Sequence, residues 1–114
     1  MNFIRLSELD GSEPLFRGSI LRFRKFAPRE EIVDYMLFET SEGSGLGLIR
    51  DSGYGAGHVL VILPLEARFD SKVTAISPAW LKNHWQEWVD NHSVPHDVWV
   101  LKEGRAAPEK LPEE

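Results

Sequence analysis

The segment "SPAWLKNHWQEWV", residues 77 to 89, is the one stretch of this chain with the periodicity of an amphipathic helix. Ser77 is a good N-cap, and Pro78 suits the first helical position, where its missing N–H costs nothing. Leu81, Trp85 and Trp88 fall at i, i+4 and i+7, so they share one face and are expected in the core, with Trp80 and His84 flanking them. The spacing predicts a helix over about 78–89, with Asn91 as its stop. The other apolar segments must therefore satisfy their backbones by pairing with one another.

Those segments have the length of strands. In "SILRFRKF", Leu21 and Phe23 alternate with Arg22 and Arg24, the period of a half-buried strand that Pro28 ends. In "IVDYMLFET", Tyr35 and Leu37 point one way and Met36 and Phe38 the other. Both faces are apolar, which predicts a central strand covered on both sides. "LGLIRD" reads as a short strand, "HVLVIL" as a second central strand, "KVTAIS" as a further short one and "DVWVL" as the last. "SELDGSEP" reads as turn, with room for a short helical piece. The connections are short, which favours antiparallel pairing. The expected fold is α+β: a curved, mostly antiparallel sheet with one Trp-rich helix packed across it.

A chain of 114 residues suits one domain, and its 42% hydrophobic residues, with four Trp and six Phe, suffice for a core. Residues 1–104 are expected to form that domain. In the remainder, 105–114, two prolines, several charges and Leu111 as the one large apolar group predict a flexible acidic tail. The absence of cysteine excludes a disulfide scaffold and a thiolate metal site. The N-terminus does not read as a signal peptide, and no apolar run approaches the roughly 20 residues of a membrane helix, so a cytoplasmic protein without membrane contact is expected. The net charge of −5 argues against nucleic acid as a partner. Arg17, Arg22, Arg24, Lys25 and Arg29 form a local basic stretch, and Glu30, Glu31, Asp34, Glu39 and Glu42 follow directly behind it.

Two glycine runs, "GSGLG" and "GYGAG", invite a nucleotide reading. The dinucleotide fingerprint needs G-x-G-x-x-G leading from a strand into a helix. Here Leu48 and His58 stand where the third glycine would fall, and each run leads into a strand. Both read as turns, and "SGYGAG" (residues 52 to 57) as a hairpin connection that displays Tyr54. His92 and His96 have metal-ligand spacing, but Pro95 breaks a helix between them and no third ligand suggests itself, so no metal and no cofactor is expected. Ser52 beside Asp51 and ahead of His58 lacks the setting of an activated nucleophile, and no catalytic residue is assigned.

Taken together, "LFRGSILR", "VDYMLF", "SGYGAG", "ISPAWLKNHWQEWV" and "DVWVL" resemble the bacterial immunity protein 45 family of polymorphic-toxin and type VI secretion neighbourhoods. The resemblance runs from about Leu15 to Leu101. Its most specific parts are "SGY-x-AG" and the Ser-Pro-x-Trp-Leu helix start followed by Trp85 and Trp88. Gly55 stands where the family carries a more variable, often polar residue. The resemblance implies a small α+β protein of the cytoplasm that binds a cognate toxin effector and neutralises it in bacterial competition, with no enzymatic activity and no cofactor. It assigns no contact residues. The residues themselves suggest Glu39, Glu42 and Asp51, acids at or near strand ends, and Tyr54, an aromatic on a glycine loop, as the toxin-binding set. The alternative is a small enzyme or ligand-binding domain built on the glycine loops around Tyr54.

Overall fold

The structure is a computed structural model and describes residues 2–41 and 45–113. Its strands are β1 (Ile4–Arg5), β2 (Ile20–Lys25), β3 (Glu31–Glu39), β4 (Leu46–Arg50), β5 (Val59–Ile62) and β6 (Trp99–Leu101), and its helix is α1 (Pro78–Trp88). The strands form one six-stranded sheet in the order β1-β6-β2-β3-β4-β5, antiparallel at every junction. The expected α+β fold, antiparallel sheet plus one helix, is what forms.

Strands β2 to β5 are a meander, the arrangement that short connections dictate. β6 returns from the far end of the chain and inserts between β1 and β2, pairing Trp99 with Arg5 on one side and with Arg22 on the other. Alternation along each strand then decides the faces. Leu21 and Phe23 of β2, Val33, Tyr35 and Leu37 of β3, Leu46 and Leu48 of β4 and Val100 of β6 point to one side and are buried there with Leu81 and Trp85 of α1. The Phe23 ring stands edge-on to Trp85 at 5.2 Å and stacks on Tyr35 at 5.8 Å, geometries that add to plain area burial.

The helix begins as its sequence requires. The Ser77 hydroxyl accepts the Trp80 N–H at 3.1 Å and Pro78 occupies the first turn. It ends at Trp88, one residue short of the expected bound, with Val89 as the C-cap. Leu81 and Trp85 are in the core as expected. Trp88 is not: it is half-buried in the last turn and leans on Trp80 of its own helix at 5.9 Å, while Trp80 is the one that packs against the core.

Three strand readings are corrected. β5 is an edge strand, not a central one, because the meander ends with it; Val59 and Ile62 are 51% and 49% exposed. "KVTAIS" forms no strand. The Asp70 carboxylate accepts the N–H groups of Lys72 and Val73, at 2.8 and 3.0 Å, which holds this segment in a turn. Only Ile76 pairs, in single bridges to Leu15 and Arg68. β3 is central, but its second face is partly open: Met36 and Phe38 are half-buried and Ile32 is 56% exposed. On that face Ile20 and Leu101 are fully covered. After β6 the chain turns at Gly104, whose φ of 71° suits glycine, and Arg105 extends to Asp34 of β3.

Candidate functional site

The connection from β4 to β5 is "DSGYGAGH", residues 51–58, so "SGYGAG" lies in a hairpin loop as expected. Its frame is Arg50, whose N–H donates to the His58 carbonyl and whose carbonyl accepts from Gly57, both at 2.8 Å. Gly53 and Gly57 have φ of 68° and 95°, in the left-handed region that favours glycine. The loop lies over an arginine: a Cβ at Gly53 or Gly55 would stand 3.1 or 3.2 Å from a terminal nitrogen of the Arg50 guanidinium. Tyr54 projects from this loop and is 96% exposed.

Arg50 itself is nearly buried, its side chain 10% exposed, because it lies on the core face directly opposite Tyr35. Its Nη2 donates to Glu31 at 3.1 Å, and its buried Nε has no hydrogen-bond partner among the described residues. Glu31 is also approached by Arg29 at 3.7 Å. Lys25, which faces Glu31 across β2 and β3, donates to the Tyr35 hydroxyl at 3.3 Å. Pro28, Arg29, Glu31, Arg50, Tyr54 and Gly55 line an open pocket of about 400 Å³.

On the open face Asp34 is the centre of a charge network. Arg22 grips it with two hydrogen bonds, Nε to Oδ1 at 2.7 Å and Nη2 to Oδ2 at 2.9 Å. Arg105 adds a third at 2.6 Å and ties in Asp51 at 2.7 Å. Burial works to raise the Asp34 pKa, but the hydrogen bonds and charges of Arg22 and Arg105 outweigh it and hold the carboxyl below its ordinary value. The bond to Asp34 raises Arg22, and those to Asp51 and Asp34 raise Arg105.

The sequence-predicted residues divide. Asp51 and Tyr54 lie together after β4. Glu39 is at the opposite end, paired in register with Leu46 at the start of β4, and its carboxylate meets Arg17 at 3.2 Å. Glu42 lies outside the described residues. The alternation of basic and acidic stretches is explained by the β2–β3 pairing, which sets Arg22 against Asp34 and brings Arg24 to Glu30 at 3.6 Å. The Ser52 hydroxyl accepts the Asp34 N–H at 3.1 Å and so pins the loop to β3.

Sequence reasoning missed a second feature at this end of the sheet. β6 pairs with β2 only as far as Arg22, so the β2–β3 hairpin projects beyond it. Phe26 and Ile32 on that hairpin are 48% and 56% exposed and, with Trp99, line an open groove of about 460 Å³. Ile32 shares its face with Met36 and Phe38, so the strand period, followed to its start, would have placed it there. The exposed aromatic and aliphatic groups at this end stand among charges such as Arg24, Glu30 and Arg29 that are paired within the chain, a surface suited to contact with another protein.

Comparison with curated proteins and with solved structures gave no match. A family model, immunity protein 45, matches residues 8–100, which takes in β2 to β5, α1 and most of β6. The chain belongs to the immunity protein 45 family.

Proposed function

We propose that this protein protects by holding one bacterial toxin in a stable protein–protein complex, without catalysis of its own, and that the contact surface is the end of the sheet carrying Tyr54, Phe26 and Ile32. The exposure of Tyr54 carries this reading. A phenol that is 96% exposed stabilises nothing in the free protein, yet its loop is fixed by the hydrogen bonds of Arg50 and Ser52. A rigid aromatic presented in this way is the usual anchor of a tight interface. Asp51 contributes by holding Arg105 beside that surface. Glu39, at the far end of β3, stands outside it.

Co-expression with each candidate toxin encoded in neighbouring genes tests the proposal. Wild-type protein restores growth. A Tyr54→Ala, Phe26→Ser double variant, folded by circular dichroism, loses about 2 kcal/mol or more of binding and fails to protect. Full protection by that folded variant would move the interface elsewhere. Failure of the wild type to bind the toxin would remove the reading itself.

A further inference from the structure

The pocket beneath Tyr54 has a nearly buried arginine as its floor, and we infer that it is a socket for a carboxylate side chain of the bound partner. This deepens the proposed function and rests on it. The floor is Arg50, a guanidinium whose side chain is nine-tenths buried. A guanidinium has five N–H donors. Glu31 takes one bond from Nη2, and Nε has no partner among the described residues. Glu31 is shared with Arg29, so two cations meet one carboxylate here, while Lys25, in register with Glu31, donates to the Tyr35 hydroxyl. The neighbouring acid, Glu30, faces Arg24 instead.

The loop keeps this cation open. At Gly53 and Gly55 any side chain would start at 3.1 to 3.2 Å from the guanidinium and lie over it. The space left, about 400 Å³, takes a side chain but no folded element. An anion entering it meets the terminal end of a guanidinium of which only Nη2 is hydrogen-bonded to another side chain among the described residues, in a partly desolvated site where charge-assisted hydrogen bonds are strongest. The Tyr54 ring on the rim then covers the aliphatic stem of the incoming residue. A protein carboxylate fits better than a nucleic acid, because the chain as a whole carries −5 and repels a polyanion.

The test needs no toxin. The ¹⁵N-labelled protein is titrated with acetyl-Gly-Glu-Gly-amide, with the Gln counterpart and with inorganic phosphate. The Glu peptide should shift the Arg50 Nε–H and the Gly53 and Gly55 amides, and the Gln peptide should leave them in place. Phosphate should compete for the same resonances. Arg29→Gln should weaken the Glu peptide by about tenfold. Removing Arg50 risks the fold, so the decisive variant is Gly55→Leu, where φ lies outside the left-handed region and the new side chain covers the guanidinium. It should abolish the shifts in a folded protein. Equal shifts from the Glu and Gln peptides, no response at Arg50, or a response to phosphate alone would each overturn the socket. None of these results bears on whether the wild type neutralises a toxin, so the two readings fail separately.

Discussion

The indole N–H of Trp85 donates to the hydroxyl of Ser93 at 2.9 Å, and Ser93 donates in turn to Asp90 at 2.6 Å. The largest fully buried side chain thus has its one polar atom satisfied by the loop that follows α1. Trp85 also meets Phe23 across the helix–sheet interface. Trp85→Ala should cost about 3–5 kcal/mol, the range for a buried aromatic, and leave little folded protein. Ser93→Ala strands the indole N–H and should cost about 1–2 kcal/mol. Urea unfolding followed by tryptophan fluorescence measures both; a Trp85→Ala protein as stable as wild type would contradict the core assignment.

Asp34 makes stability depend on acid. Its folded pKa is lowered, so the stabilisation is fully present above the unfolded value of about 3.9 and is lost as pH falls through that value toward the folded one. Asp34→Asn should cost about 2 kcal/mol at neutral pH, less than for a fully buried pair because the Arg22 and Arg105 side chains are 40% and 46% exposed. The gap between variant and wild type should shrink below pH 4. Melting temperatures across that window, compared between the two proteins, read the effect directly.

The tail divides at Arg105. Residues 106–113 are exposed, whereas Arg105 ties Asp34 to Asp51. Removing 106–114 should change stability by less than about 0.5 kcal/mol. Removing Arg105 as well should cost about 1 kcal/mol, the scale of a part-exposed ion-pair network. A large loss from the shorter truncation would show that Leu111 docks on the body.

Gly47 tests the packing of the open face. A Cβ there would lie 2.6 Å from the Val61 carbonyl, 2.8 Å from the Phe38 ring and 2.9 Å from Ile62. Phe38 and Ile62 therefore close over the β4 backbone, and Gly47→Ala should cost about 1–3 kcal/mol by overpacking. Chemical denaturation of the variant checks this.

The sequence made the helix legible because cap, proline and apolar spacing all agree over residues 77–88. The meander was legible for a similar reason, since turns shorter than a crossover leave antiparallel pairing as the answer. Position in the sheet was not. "VLVI" is β-branched whether its strand is central or at the edge, and nothing local in it records that β6 takes its place on the far side of β2. "KVTAIS" has strand composition, but the Asp70 side chain, outside that window, claims its backbone donors. For the candidate site, the exposure of Tyr54 followed from its glycine setting. The Arg50 beneath it did not, because a buried arginine reads in the sequence as one more charge at a strand end. Nor did the pairing of Asp51 with Arg105, a partner 54 positions away.

The place of β6 fixes when this protein can exist. A strand near the C-terminus lies between β1, near the N-terminus, and the β2–β5 meander. Until Trp99–Leu101 has been synthesised, β1 has no strand to lie against and β2 has a bare edge. The growing chain can assemble its local hairpins on the ribosome, but the sheet is completed only once Trp99–Leu101 has emerged and joined β1 to β2. The contacts that complete the sheet are long-range ones, which are the slow ones to find.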